Sequence, residues 1–206
     1  MVNIKINGIE YAVEEGTTIL EACRQNGIRI PTLCWLKDIN AIGACRICVV
    51  EMTGARSLVA SCVYPLSKFD EGKNILTHSP AVLQSRKMTL QLLLSDHNMD
   101  GLACSRNGSC ELQELCKELG VDDTTFFEGE KNEYDIDYSS KHMFRDNNKC
   151  IHCRRCIAAC DKLQGIGVIG ANNRGFKTSI DCAFDLDLAE TACVSCGQCI
   201  TACPTG

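Results

Sequence analysis

The chain has 206 residues, 17 of them cysteine, with a formal charge of −5 that excludes a generally basic, nucleic-acid-coating surface. Its 45% hydrophobic and 23% charged residues are those of an ordinary soluble globular protein. No apolar run approaches the roughly 20 residues that span a bilayer, and the first residues have no apolar signal core, so a cytoplasmic setting is expected. Thiols kept reduced there are expected to hold metal rather than to pair, and disulfide-rich secreted scaffolds are much shorter chains.

In chain order, Val2 to Ile6 alternates as a strand, Asn7-Gly8 is a two-residue hairpin signal, and Ile9 to Val13 returns. Thr18-Ile-Leu-Glu21 is a capping box opening a helix that Gly27 closes, and Cys23 on it reads as a small buried apolar residue. Cys34, Cys45, Cys48 and Cys62 follow with the spacing C-x10-C-x2-C-x13-C. The plant-type 2Fe–2S pattern has C-x4-C-x2-C and a distant fourth cysteine; here the first gap is longer, but the C-x2-C core and the remote ligand remain. These four are the expected 2Fe–2S ligands of a β-grasp ferredoxin-type domain over residues 1–78. Gly43, just before the C-x2-C, suits a loop whose backbone amides approach cluster sulfides closely.

Residues 79–120 read as a small helical segment. Ser79-Pro80 is an N-cap followed by proline at the first helical position, and the helix runs through Val82, Leu83, Leu90 and Leu93 to Asp96-His97. A second helix, Glu111 to Leu119, is stopped by Gly120; Leu112, Leu115, Cys116 and Leu119 form one apolar face, so Cys116 reads as core. By position alone His97 reads as a surface helix cap. Residues 121–140 are an acidic linker in which Phe126, Phe127, Tyr134 and Tyr138 anchor a solvated loop.

Residues 141–206 carry the densest pattern. Cys150-Ile-His-Cys153-Arg-Arg-Cys156-Ile-Ala-Ala-Cys160 reads C-x2-C-x2-C-x3-C, and the pattern returns as Cys193, Cys196, Cys199 and Cys203, followed by Pro204. Each run is the bacterial ferredoxin signature for a 4Fe–4S cluster, whose fourth cysteine serves the neighbouring cluster. Cys150, Cys153, Cys156 and Cys203 are assigned to one cluster, and Cys160, Cys193, Cys196 and Cys199 to the other. A zinc ribbon needs two C-x2-C pairs and leaves half of these thiols unexplained. Asp161 stands where proline often follows the first run. Between the runs, the segments around Asn172-Asn-Arg read as a hairpin insertion, Cys182 as structural, and Arg154 and Arg155 as solvated. The expected fold class is therefore α+β: a β-grasp domain, a helical segment and a two-cluster ferredoxin-like domain.

No dinucleotide-binding glycine motif, phosphate-binding loop or nucleophile elbow is present. No catalytic residue is assigned, and nucleotide and flavin chemistry is expected in a partner. Cysteine-saturated clusters pass single electrons without binding substrate.

This ordered set of motifs resembles the electron-transfer portion of the iron-only hydrogenase large subunit, and the start of the large iron–sulfur subunit of respiratory complex I. In that family a site H-x3-C-x2-C-x5-C, followed by Glu-Leu-Gln, lies between the 2Fe–2S and two-cluster domains. Arg106-Asn-Gly-Ser-Cys110-Glu-Leu-Gln113 matches the end of that motif. The resemblance implies that His97, Cys104 and Cys110 hold a His-ligated 4Fe–4S cluster, but Gly101 stands where the family has a cysteine. Three explanations stay open: the cluster is lost, water or Asp100 fills the gap, or Cys116 or another thiol substitutes. The cofactors are then one 2Fe–2S and two 4Fe–4S clusters, or three 4Fe–4S clusters with the site filled, giving about 10 or about 14 irons.

The resemblance further implies an electron-transfer subunit of a hetero-oligomer, relaying single electrons between a flavin- and NAD(P)-binding iron–sulfur subunit and ferredoxin, with a small thioredoxin-like 2Fe–2S subunit beside it. Such complexes in anaerobes couple NAD(P)(H) to ferredoxin by electron bifurcation. The hydrogenases continue past the position of Gly206 into a catalytic domain, so the expectation is a transhydrogenase-like subunit without hydrogen chemistry; the alternative is the front portion of a hydrogenase subunit. A non-catalytic iron–sulfur structural or sensor module is the reading from a different class.

Overall fold

The computed structural model describes residues 1–122, 127 and 129–205, so Phe126 of the linker lies outside the described residues. By contacts the chain divides into two units: Met1–Thr32 with Ala41–Leu90, and Leu33–Asn40 with Gln91–Gly206.

The first unit is built on a five-stranded mixed sheet. Strands β1 (Val2–Ile6) and β2 (Ile9–Val13) form the expected hairpin, with Val2 opposite Val13 and Ile6 opposite Ile9. Asn7 and Gly8 have φ of 52° and 86°, the two positive values that a twisted two-residue turn requires. Strand β5 (Asn74–Leu76) runs parallel to β1, β3 (Val49–Met52) is antiparallel to β5, and β4 (Val59–Ala60) pairs with β3. The spatial order is β2-β1-β5-β3-β4.

Helix α1 (Ile19–Gln25) is opened by the capping box: Thr18 Oγ1 accepts the Glu21 amide at 3.2 Å, and Glu21 Oε2 accepts the Thr18 amide at 3.4 Å. It buries Ile19, Leu20, Ala22 and Cys23, which join Val2, Ile4, Ile6, Val13 and Ile75 in this unit's core. Burial pushes the Cys23 thiol up to about 11, as befits an inert core residue.

Helix α2 (Pro80–Ser95) begins where Ser79 Oγ accepts the Val82 amide at 3.3 Å, and ends just short of Asp96-His97. In the second unit, α3 (Glu111–Leu119) is closed by Gly120 at φ 63°, a left-handed cap. Helix α4 (Arg155–Ala158) runs directly into a π-turn, Ala159–Leu163. Strands β6 (Ile169–Asn172) and β7 (Ser179–Cys182) form the antiparallel insertion, and α5 (Gln198–Ala202) follows. Cys182 is fully buried and accepts a hydrogen bond from Arg145 Nη1 at 3.3 Å. The linker is tied down by Asn132, whose amide donates to Asp96 at 2.7 Å, and by Tyr134, whose hydroxyl donates to the Thr178 carbonyl at 3.3 Å. Among the described residues no helix is long and apolar enough to cross a membrane.

Candidate functional site

Cysteine placement follows from loops that only a few backbone conformations allow. In the first unit, the chain before β3 carries Gly43 at φ 63° and Arg46 at φ 58°. A Cβ at position 43 would stand 3.1 Å from Val63 Cγ2, which would have to give by a few tenths of an ångström, and the left-handed backbone there favours glycine. Cys45, Cys48 and Cys62 are buried there, and the Cys48 and Cys62 sulfurs stand 3.3 Å apart. Among the described residues no disulfide joins any of the cysteines. The Ser61 hydroxyl donates to the Cys48 carbonyl at 2.7 Å.

Below this loop lies a buried arginine that sequence reading missed. Arg86 is 1% exposed; its Nε donates to the Ile47 carbonyl at 3.0 Å and its Nη2 to the Val49 carbonyl at 2.8 Å, gripping both sides of Cys48. The signal was present in α2, where Arg86 occupies the apolar stripe one turn from both Val82 and Leu90. Buried thiols beside a buried guanidinium suit an anionic thiolate-ligated group. Cys34, fully buried, belongs to the second unit.

The two C-terminal runs share one backbone shape. His152 and Arg154 have φ of 53° and 60°, and Ser195 and Gly197 have 54° and 75° at the equivalent positions. These turns aim backbone amides inward: the His152 amide donates to Cys150 Sγ at 3.4 Å, and the Ser195 amide donates to Cys193 Sγ at 3.5 Å. Amides pointed at sulfur stabilise thiolate ligands and set the potential of what they hold.

Cys160, on the π-turn, lines one pocket with Cys193, Cys196 and Cys199, closed by Met143, Ile166, Val168 and Ile169. Cys150, Cys156 and Cys203 line a second, larger cleft, which Cys199 also borders. Burial pushes the Cys150 thiol up to about 11, and burial together with the neighbouring thiols of Cys203 and Cys150 pushes Cys153 up to about 12. Cys199 is raised by burial and by Cys193, Cys196 and Cys160. Such clustered, buried thiols are neutral unless a metal takes their protons' place, which is the donor chemistry that a 4Fe–4S group fits.

Arg154 is exposed, as expected, but its neighbour corrects the sequence reading. Arg155 is 5% exposed and forms a two-pronged pair with Glu111. Glu111, the first residue of α3, follows Cys110, and the pair ties that helix start to the loop of Cys153 and Cys156.

In the middle segment His97 is buried rather than capping a surface helix, and its Nδ1 has no hydrogen-bond partner. Burial and then the charge of Lys149 lower its pKa, keeping the neutral ring that metal ligation needs. Cys104 is half-buried and Cys110 buried, its thiol donating to the Pro204 carbonyl at 3.6 Å. Arg106 Nη2 donates to the Cys203 carbonyl at 3.4 Å. Asp100 is ion-paired with buried Lys149, and the space around a Cβ at Gly101 is open. Half-buried Cys116 has its thiol pushed up to about 11, mainly by burial. An orphaned ring nitrogen and two thiols fit a His-ligated cluster in donor type. Among the described residues no three His, Cys, Asp or Glu side chains close round a single ion; an iron–sulfur cluster spreads its ligands over several irons.

Three family models match the chain: a 2Fe-2S iron-sulfur cluster binding domain at residues 1–79, the NADH-ubiquinone oxidoreductase-G iron-sulfur binding region at 86–125, and a 4Fe-4S dicluster domain at 149–206. The chain is 42% identical to NADP-reducing hydrogenase subunit HndD of Solidesulfovibrio fructosivorans, over all of this chain and 35% of that protein. It is 35% identical to NADPH-Fe(3+) oxidoreductase subunit alpha of Geobacter sulfurreducens, over all of this chain and 24% of that protein. It thus spans between a quarter and about a third of the length of these curated relatives. A crystal structure of NAD+-reducing NiFe-hydrogenase superimposes with a TM-score of 0.90 at 27% identity, covering 100% of this chain and 85% of that one. The chain is therefore a run of three iron–sulfur domains, a 2Fe–2S domain followed by two 4Fe–4S domains, similar along its whole length to subunits of an NADP-reducing hydrogenase and an NADPH-Fe(3+) oxidoreductase and to a chain of an NAD+-reducing NiFe-hydrogenase.

Proposed function

We propose that this chain is an electron-transfer subunit that accepts and delivers single electrons in an NAD(P)-linked oxidoreductase complex. The observation that carries this reading is the repeated loop of the C-terminal unit, in which equivalent amides donate to Cys150 and Cys193 and the thiols gather in two adjoining hollows. Iron–sulfur clusters, when bound, take up and release one electron at a time. The residues that hold them are Cys34, Cys45, Cys48 and Cys62 for 2Fe–2S; Cys150, Cys153, Cys156 and Cys203 for one 4Fe–4S; and Cys160, Cys193, Cys196 and Cys199 for the other. His97, Cys104 and Cys110 hold a third 4Fe–4S cluster, with no protein thiolate from position 101; Asp100 is committed to Lys149.

The group held by Cys150, Cys153, Cys156 and Cys203 is the hub of the second unit. Arg106 and Cys110 of the middle site bond to Cys203 and Pro204, and Glu111 pairs with Arg155 of its loop. The partner that supplies electrons binds flavin and NAD(P), with a thioredoxin-like 2Fe–2S subunit beside it, a reading supported by the NADP- and NADPH-linked relatives. Ferredoxin is the second redox partner, and coupling of the two by bifurcation at the flavin of the partner is the finer form of this proposal.

The test is anaerobic reduction by NADPH or NADH in the presence of the co-purified flavoprotein, read by low-temperature electron paramagnetic resonance. Signals of 2Fe–2S and 4Fe–4S type that appear at the rate of turnover support an electron-transfer role; clusters that stay oxidised during turnover make this a structural module. The 42% identity to a hydrogenase subunit favours a second reading, the electron-transfer portion of a hydrogenase subunit. The intact mass of the native polypeptide distinguishes the two.

A further inference from the structure

Among the described residues three buried side-chain nitrogens have no hydrogen-bond partner: His97 Nδ1, Arg106 Nε and Arg155 Nε. The two guanidiniums stand beside the hub ligands, which lie within reach of one another: burial and then the thiols of Cys153, Cys150 and Cys203 raise that of Cys156. Arg106 borders the same cleft as Cys150, Cys156 and Cys203. Among the described residues its guanidinium meets carbonyls and no carboxylate, Nη2 donating to Ser109 at 3.2 Å and to Cys203 at 3.4 Å. The neighbouring cations are all paired: Arg155 with Glu111, Lys149 with Asp100, and Arg145 with Asp137 and Asp181. Arg154 is exposed, where water screens it. Asp146, the acid that borders the cleft, accepts the Asn148 amide at 3.0 Å and lies in the field of Lys149. The pocket of Cys160, Cys193, Cys196 and Cys199 is bordered by no basic or acidic side chain among the described residues, and Gly197-Gln198 stand where the hub loop has Arg154-Arg155.

We propose that Arg106 raises the reduction potential of the hub 4Fe–4S group through a positive charge that no carboxylate offsets. The proposal rests on the hub ligand set above. Four thiolates leave such a group with a net negative charge, which grows by one unit when an electron from the redox partner enters. A guanidinium keeps its proton at every working pH, so its charge favours the reduced form and no proton moves with the electron. A cation paired with a carboxylate contributes little, because the two fields oppose each other. Holding the ligand loop does not require Arg106: Asn40 Nδ2 donates to the Cys153 carbonyl at 3.1 Å, Thr205 Oγ1 donates to the Lys149 carbonyl at 2.9 Å, and Glu111 ties down Arg155. For the fold alone, a half-buried cation with an orphaned Nε is a cost; beside an anionic group it is a gain.

The test compares R106K, R106Q and R106E with the unaltered protein, each purified anaerobically and its iron counted. Midpoint potentials of the 4Fe–4S signals are read by stepwise dithionite reduction with low-temperature electron paramagnetic resonance. C156S, which exchanges one hub thiolate for an oxygen ligand, identifies the hub signal. In R106Q electron uptake by the hub group weakens about tenfold, a midpoint lower by about 59 mV. R106E lowers it further, R106K stays near the unaltered value, and the other groups keep theirs. A hub midpoint unchanged in fully loaded R106Q and R106E overturns the proposal. So does a shift in R106K as large as that in R106Q, which assigns the effect to the shape of the fork rather than to its charge, and so does a shift confined to another group. If R106E alone loses iron, the contrast of R106Q with R106K decides in the same way; iron lost from R106Q as well overturns the proposal, because Arg106 then holds the group instead of setting its potential. C156S signals identical to those of the unaltered protein are a different result, and refute the hub ligand set, and the proposal with it.

Discussion

Arg155 and Glu111, 44 residues apart, meet in a two-pronged ion pair, Nη1 to Oε1 at 2.7 Å and Nη2 to Oε2 at 3.0 Å. The two ends are unlike: the Arg155 side chain is 6% exposed and that of Glu111 47%. Removing the carboxylate strands a buried cation that cannot give up its proton, whereas removing the guanidinium leaves a carboxylate that water can solvate. E111A is therefore expected to destabilise the holoprotein by about 3 kcal/mol and R155M by about 1–2 kcal/mol. Anaerobic urea unfolding measures both, and equal effects would contradict this asymmetry.

Arg86 grips the carbonyls on either side of Cys48, so its loss is expected to act on the proposed 2Fe–2S site alone. R86M leaves two buried carbonyls without these donors and should remove about two irons per chain, abolishing the 2Fe–2S signal while the 4Fe–4S signals persist. R86K, with a point charge in place of the planar fork, should lose part of the signal. Iron analysis paired with resonance spectra reads this directly.

The middle site has a gap at Gly101, whose φ is 56° and whose surroundings are open. If His97, Cys104 and Cys110 alone hold a cluster, as proposed, it is expected to give up iron first when the protein meets air. G101C supplies the missing thiolate at a modest backbone strain, since a side chain at positive φ costs on the order of 1 kcal/mol. It should slow the first phase of air-induced iron loss, a phase worth about four irons per chain. H97A should eliminate that phase, because the site no longer fills. Identical time courses in all three proteins would refute this ligand set.

In the first unit, Asp70 is 1% exposed and accepts from the Ser67 amide and hydroxyl, the Tyr64 hydroxyl and Lys73. Burial alone would raise its pKa, but the hydrogen bonds from Lys73, Ser67 and Tyr64 together hold the carboxyl below its ordinary value. A lowered folded pKa gives stability that is fully present above the unfolded value, near 3.9, and is lost as pH falls through the folded one. D70N should cost about 1–3 kcal/mol, and the difference from the unaltered protein should stay constant from about pH 8 to about pH 5. A difference that shrinks across that window would mean that Asp70 is not held ionised.

Local chemistry was legible in the sequence where it depended on near neighbours. The Asn7-Gly8 turn, the Thr18–Glu21 capping box and the limits of Glu111–Leu119 are set by residues within one or two turns of each other, and the structure places them as read. Cysteine spacing marked out the iron–sulfur domains because cluster geometry constrains short loops. What stayed hidden was set by partners distant in sequence. Nothing around Arg154-Arg155 announces Glu111, so both read as solvated, and only the fold separates them. Asn40 lies in an unremarkable turn, and its partner is 113 residues away. His97 is likewise buried by segments that its own helix end does not foreshadow. Arg86 was visible in principle, as a cation on an apolar stripe, because a buried charge implies buried acceptors.

Whether these cysteines hold iron–sulfur clusters that carry electrons is read from anaerobic iron and acid-labile sulfide analysis with low-temperature resonance during reduction by NADPH or NADH and the flavoprotein partner. At least about ten irons per chain are expected, with matching sulfide and with both 2Fe–2S and 4Fe–4S signals growing in at the turnover rate. Zinc in place of iron, or loaded clusters that remain oxidised while the complex turns over, would contradict this expectation.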